Sequence, residues 1–427
     1  MRNHRRVIIR IFARTVVHIL YLHQYFVPPD GSGGTRSYEM AKRLVKGGHQ
    51  VTLLTTCASF PGSYQFHPGT NYLSIDGIKL HVLRVPYSNK FSFFRRIWAF
   101  ASYLFKACYD LMKVKDVDLV FATSTPLTIA IPGIFAKFRY RCKMVFEVRD
   151  LWPELPIAIG ALRNSLAVSV AKYLEKYAYK NSEYVVALSP GMAKGVAKTG
   201  YPTSRIEIIP NSCDVALFRC GIARGEEFLT QYPYLKGGPI IVYAGTLGEI
   251  NGVGFLTEVA SELTSLRPEI KLLIVGDGKE KEKIKAKAEK LGVLGKNLWM
   301  IPPISKKDIP GVLAASTVSI SLTIDLPLLW NNSANKFFDA LAAGRPVIIN
   351  HEGWQADFLR ETGAGLVLPP RNALLAAKMI EKFVMDPERL RHARRAATRA
   401  ANEVFNRDLL AKQLMNVLEE AGQGDTS

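Results

Sequence analysis

Two side chains in the stretch NNSANKFFDALAAGRPVII, residues 331–349, are typed and spaced for chemistry. Lys336 and Asp339 stand three residues apart, so a helix puts them on one face. The lysine offers a point charge to a phosphate. The aspartate can accept hydrogen bonds from a ribose 2′,3′-diol, as acidic residues do in other nucleotide sites. Ser333 stands where it would cap the helix start, with Asn335 beside it, and the free N–H groups of such a start attract phosphate oxygens. Ala-Gly-Arg-Pro then ends the helix before an apolar strand. An ordinary amphipathic helix with a solvated Lys and Asp would show the same letters.

A second group lies in FEVRDLWPELPIAIG, where Arg149, Asp150 and Glu154 follow a strand. Open α/β sheets place ligands beyond the carboxyl ends of their strands. An Arg there can clamp a phosphate, and an Asp can orient a hydroxyl. An ion pair capping the next helix is the structural alternative. Three glycine-bearing turns complete the set: HQYFVPPDGSGGTRSYEM with Gly31, Gly33 and Gly34, YAGTLGEINGVG with Gly245, Thr246 and Gly248, and IVGDGKE with Gly276. Each lets backbone approach an anion at a helix start. None is G-x-G-x-x-G, so a dinucleotide fingerprint is absent.

The elements that must position these residues follow from periodicity. VVHILYL, then SYEMAKRLVKGGH, then QVTLLTT reads as strand, helix, strand. VDLVFAT, CKMVFEV, EYVVALS and RIEIIPN continue a first series to about residue 211. A second series begins at PIIVYAGTL, residues 239–247, and runs through KLLIVGDG, NLWMIPPI, VSISLT, PVIIN and GAGLVL. Strands alternating with helices imply parallel sheets. The expected architecture is α/β, two doubly wound Rossmann-like domains facing a central cleft. The first domain is placed at residues 1–218, a linker at 219–238, and the second domain at 239–427, with the last helix a candidate to cross back. The ligand belongs in the cleft.

Composition bounds the partners. The 427 residues suit two domains, and the net charge of +19 is uneven. Residues 1–220 hold 30 basic against 13 acidic side chains, +17, while the remainder holds 26 against 24. A basic half suits an anionic surface: phospholipid, a lipid-linked phosphate or nucleic acid. No nucleic-acid motif accompanies it. Five scattered cysteines without CxxC or zinc spacing point to a reducing compartment and to no structural metal. No run of roughly 18 apolar residues suggests a transmembrane helix. The start, MRNHRRVIIRIFARTVVHILYL, reads as a basic extension followed by a buried strand at residues 16–22, because Arg10 and Arg14 interrupt its apolar run.

One helix is unusual. In KFSFFRRIWAFASYLFKACYDLMKVK, residues 90–115, Arg95, Arg96, Lys106, Asp110 and Lys113 form one stripe. Phe94, Trp98, Phe100, Leu104 and Phe105 fill much of the rest. A basic stripe beside a broad aromatic face suits an interfacial helix, and Arg95, Arg96, Trp98 and Lys106 are its candidate membrane contacts. A core helix with a solvated edge is the alternative.

GGTRSYEMAKRLVKGGHQVTLLT, VRDLWPE, ALSPGM, IIPNSCD and SANKFFDALAAGRPVI together resemble the retaining GT-B glycosyltransferases of family 4. The resemblance is strongest to the branch that builds O-antigen, capsule and colanic-type polysaccharides, and it runs from residue 16 to about 417. It implies a nucleotide-sugar donor, a UDP-linked N-acetylated amino sugar by analogy with the branch. It also implies a polyprenyl-linked acceptor, no metal cofactor, and a cytoplasmic protein held on the inner face of the plasma membrane. Asp339 matches the second acid of the family's E-x7-E motif, which holds the ribose. The first acid falls at Asn331. Arg149 stands where the family often has His, and Glu249 and Asn251 stand near the usual Arg/Lys phosphate pair. Lys336 and Arg149 are then the expected holders of the diphosphate, with Arg149, Asp150 and Lys336 nearest the reacting centre. A nucleotide-sugar 2-epimerase of the same fold, or a non-catalytic nucleotide-binding partner, are the competing readings. The epimerase has no use for the basic, aromatic helix.

Overall fold

The computed structural model describes residues 16–31, 33–87, 91, 93–219 and 221–423. The basic extension at residues 1–15 lies outside them.

Two sheets form two doubly wound domains. The first comprises β1 (His18–Leu22), β2 (Gln50–Thr56), β3 (Thr70–Ile75), β4 (Ile78–Leu83), β5 (Leu119–Thr123), β6 (Lys143–Val148), β7 (Tyr184–Ala187) and β8 (Ile206–Ile208), in the order β3-β4-β2-β1-β5-β6-β7-β8. The second comprises β9 (Ile240–Ala244), β10 (Lys271–Val275), β11 (Leu298–Ile301), β12 (Val318–Ser321), β13 (Val347–Ile349) and β14 (Gly365–Val367), in the order β11-β10-β9-β12-β13-β14. All pairings are parallel except β3 with β4. The strand order reverses beside β1 and beside β9, and a crevice opens there at the carboxyl ends of the strands. The glycine-bearing turns follow β1, β9 and the adjacent β10, so topology brings them to the cleft.

Central strands are buried on both faces, which explains their unbroken apolar runs. In β1, Ile19 and Tyr21 join the helix Arg36–Lys46 and the last helix, Arg407–Gly422. Leu20 and Leu22 face the other way, into a cluster with Tyr103, Ile134 and Tyr179 from the helices Phe93–Leu111, Ala130–Tyr140 and Ser165–Lys180. The last helix therefore belongs to the first domain's core although the second domain precedes it in the chain.

One expectation is corrected, and one element is new. The stretch 219–238 is not a linker: it holds the helix Gly221–Gln231 and a 3-10 turn, Pro233–Leu235. Phe228 and Leu235 are buried with Ile240, Val242 and Val312 of the second domain. Gly225 lies so close to the helix Ile309–Ala315 that a Cβ would sit 2.8 Å from the carbonyl carbon of Ala314. The β3–β4 hairpin is absent from the sequence reading. Asp76 and Gly77 at its turn both have positive φ, 48° and 81°. An Asp-Gly pair is the usual signal for such a turn.

Candidate active site

The cleft between the domains holds two joined cavities. The larger, about 490 Å³, is lined by Gly33, Gly34, Thr35 and Arg36 from the first domain. From the second come Gly245, Thr246, Gly276, Lys306, Asn335, Lys336 and Asp339, and Arg407 of the last helix also borders it. The smaller, about 420 Å³, is lined by His23, Tyr25, Thr125, Arg149, Asp150 and Ser333 among others. Gly34, Asn211 and Asn335 border both. A Cβ on Gly34 would stand 2.9 Å from Asn335 Nδ2 and 3.8 Å from an Arg149 guanidinium nitrogen, so a larger residue there would displace the Asn335 side chain at the junction of the cavities.

The helix Asn335–Ala342 delivers Lys336 and Asp339 into the larger cavity. Asp339 accepts from Lys306 Nζ at 2.6 Å through Oδ2. Lys336 Nζ stands 5.1 Å from the centroid of the Tyr243 ring, and its stem crosses Gly245, where a Cβ would be 2.3 Å from Cε. Gly276 packs on Gly245 in turn, with its Cβ position 2.0 Å from the Gly245 carbonyl oxygen. The two turns of the second domain are thus pressed together beneath the lysine. Loss of water pushes the Lys336 ammonium below the ordinary lysine range, against the opposing pull of Asp339.

Ser333 does not cap this helix. Ala334 occupies the cap position with no side-chain hydrogen bond. The Ser333 hydroxyl instead accepts from the Asn211 backbone N–H at 3.0 Å, and Asn211 Nδ2 donates to the Ser333 carbonyl. Its place is along the smaller cavity, as a stitch between the domains rather than in the larger cavity with the other residues read beside it.

In the smaller cavity the Arg149 backbone N–H donates to Ser124 Oγ at 3.0 Å. Its guanidinium meets His23 Nε2 at 3.2 Å. Burial, helped by Arg149, drives His23 well below its usual pKa, so the ring is neutral and Nε2 accepts. The proton then resides on Nδ1, which is buried without a partner. Asp150 accepts from Thr125 Oγ1 at 2.9 Å. Burial raises its pKa, while Thr125 and Arg149 oppose the shift. Glu154 borders neither cavity. It lies beside Glu175, whose carboxyl is pushed up to about 7 by burial first and by Glu154 second.

Four residues were missed. Arg36 is buried against Glu147 at 2.9 Å and donates to the carbonyls of Pro210 and Ile209. Arg407 pairs with Asp214 at 2.6 Å, and Lys306 and His23 act as described. Only the long-range contacts reveal them. Among the described residues, Arg36, Lys306 and Arg407 are cleft cations held in ion pairs, whereas Lys336 and Arg149 have none. Also among the described residues, no group of three His, Cys, Asp or Glu side chains is placed to hold a metal ion, and no helix is long and apolar enough to cross a membrane.

Two family profiles fit the two halves: the glycosyl transferase 4-like domain over residues 31–212 and glycosyl transferases group 1 over residues 226–400. The chain belongs to the group 1 glycosyltransferases. Similar proteins include an alpha-D-kanosaminyltransferase of Streptomyces kanamyceticus, 23% identical over 59% of this chain. Another is the lipopolysaccharide core biosynthesis glycosyltransferase LpsE of Rhizobium meliloti, 25% identical over 49% of it. These matches span 64% and 56% of the relatives' own lengths. The Anabaena protein HepE, crystallised with UDP and glucose, superposes with a TM-score of 0.70 at 16% identity, covering 94% of this chain and 99% of that one. The fold is GT-B.

The resemblance puts Asn331 at the first acid of the E-x7-E motif. Asn331 borders neither main cavity. Its side chain presses on Gly191, where a Cβ would be 1.7 Å from Oδ1. It thus belongs to a contact between the 3-10 turn Pro327–Asn331 and the helix Pro190–Lys198. Asn251, near the expected phosphate pair, turns away to donate to the Thr246 carbonyl at 3.0 Å.

Proposed function

We propose that this glycosyltransferase moves a sugar from a nucleoside-diphosphate sugar in the larger cavity to a hydroxyl of an acceptor in the smaller one. The observation that carries this reading is the pair of unpaired cleft cations: Lys336 from the second domain and Arg149 from the first, on either side of the Gly34–Asn335 passage. A transferring sugar sits at such a junction, with its leaving diphosphate between the two charges. Asp339 keeps one carboxylate oxygen beyond Lys306 for the ribose diol.

As the bond from the anomeric carbon to the diphosphate breaks, negative charge grows on the leaving oxygen. Lys336, Arg149 and the backbone N–H groups of Gly33, Gly34 and Thr246 stabilise it without reorganising. The acceptor oxygen bonds the same face of the anomeric carbon, and its proton passes to the departing phosphate. The configuration is retained. Asp150 orients the attacking hydroxyl, and neutral His23 holds the Arg149 guanidinium through Nε2. Basic side chains take the place of a metal.

UDP is the favoured nucleotide, because the structural neighbour HepE carries it. An N-acetylated amino sugar, a lipid-linked acceptor and a role in surface polysaccharide synthesis at the inner membrane face complete the proposal. The sugar rests on the branch resemblance alone, while the LpsE likeness and the basic first half support the acceptor and its setting. A 2-epimerase would have no use for a second cavity of nearly equal size. Calorimetric titration with UDP, GDP and dTDP tests the reading. UDP is expected to bind tightest, with at least tenfold loss in Asp339→Ala; failure of all three to bind would overturn it.

A further inference from the structure

We propose that three adjacent helices of the first domain form one docking face for an anionic lipid bilayer. The proposal rests on the lipid-linked acceptor above and extends it from one helix to a layer. The helices Phe93–Leu111, Ala130–Tyr140 and Ser165–Lys180 pack side by side in that order on one side of the first sheet. Each has an inner apolar stripe in the core and a second apolar stripe pointing outward. On the first helix the outward residues are Trp98, Phe105 and Tyr109, with Trp98 74% and Phe105 78% exposed. The middle helix shows Ile131, Phe135 and Phe138. The third shows Leu166, Val170, Tyr173 and Tyr177, with Leu166 73% and Tyr173 70% exposed. At 100° per residue these last four fall within about 60° of one another. Among the described residues, ten of the 23 exposed large apolar side chains lie on these three helices. Scattered exposure is ordinary; concentration on one layer marks an interaction surface.

Charge selects the partner. Arg95, Lys106, Arg139, Lys172, Lys176 and Lys180 are exposed along the stripes, and none makes an ion pair among the described residues. The only two carboxylates on these helices, Asp110 and Glu175, are buried. A layer with aromatic ridges, basic edges and no outward carboxylate fits anionic headgroups over acyl chains. The Arg96 side chain lies outside the described residues. The face also joins the smaller cavity. Tyr25 lines that cavity, its ring centroid is 5.2 Å from Tyr87, and Tyr87 is 5.7 Å from Phe100 on the first helix. This aromatic file gives a lipid-bearing acceptor an apolar path from the bilayer to Asp150.

The test is sedimentation with phosphatidylcholine vesicles, with and without phosphatidylglycerol, followed by tryptophan emission. Trp98 is the one tryptophan among the exposed large apolar side chains of the described residues, so wild-type protein should shift to the blue on anionic vesicles and Trp98→Phe should not. The triple variant Leu166→Ser, Val170→Ser, Tyr173→Ser, on the helix farthest from the one flagged in the sequence, should lose at least tenfold in binding. Unchanged melting shows that the variant folds. Wild-type binding by the triple variant would overturn the three-helix face and leave sugar transfer standing. So would a wild-type protein that ignores anionic vesicles but forms a dimer that the variant cannot. The UDP titration uses no vesicles, so the two proposals fail separately.

Discussion

Lys336 is the residue whose environment says most about its task. Its ammonium is held below the ordinary lysine range by desolvation. A bound diphosphate would draw the proton back. In the window between the depressed value and the ordinary one, about 10.4, the empty site is partly neutral and the filled site charged. Binding should therefore take up protons there, and nucleotide affinity should fall as pH rises through the window. Calorimetry in two buffers of different ionisation enthalpy would show the uptake, and Lys336→Ala should abolish it. At neutral pH that variant should lose about 1.5–3 kcal/mol of binding, roughly 10- to 100-fold. Asp150 carries the opposite shift: burial raises its carboxyl. If the carboxylate orients the acceptor, turnover rises with pH through an acid limb above the usual carboxylate value near 4. Asp150→Asn should cut turnover about 100-fold or more and leave UDP affinity within about twofold. The cleft placement of both residues was legible, Asp150 from its strand-end position and Lys336 from its spacing to Asp339 at a helix start. Arg36 was not, because its partner Glu147 lies 111 positions away and no local pattern pairs them.

Elements were legible where burial imposes a period. The central strands and the helices beside them follow from apolar runs and spacing. The helix Gly221–Gln231 was hidden by its two glycines, which read as flexibility. Gly225 instead serves close approach to another helix. Gly225→Val should therefore cost about 1–3 kcal/mol through overpacking, seen as a lowered melting temperature of the second domain. A true linker would tolerate the change without loss. The β3–β4 hairpin carried its signal in Asp76-Gly77, but its outer strand is only half-buried and alternates weakly. The cap at Ser333 failed for a tertiary reason, since its hydroxyl is claimed by Asn211 across the domain boundary.

At the scale of the molecule, the domain order along the chain is not the order of the cores. Leu410, Ala411, Leu414, Met415, Val417, Leu418 and Ala421 complete the cluster around Ile19, Tyr21 and Leu44. Burial of such a face contributes on the order of 10 kcal/mol, comparable to the whole stability of a typical domain. A chain stopped before Arg407 should thus leave the first domain unfolded or aggregated, while residues 219–400 retain a cooperative melt. Two doubly wound domains could be read from the sequence because each alternates strands and helices. The return of the last helix could only be suspected, since nothing in its own letters names the sheet it covers. That return sets a timetable for synthesis. A ribosome releases the first sheet early, yet the helix that seals one of its faces emerges only after the second domain. The second domain, made later, is ready first. Until the helix Arg407–Gly422 leaves the tunnel, the nascent first domain exposes β1 and the helix Arg36–Lys46 without their cover.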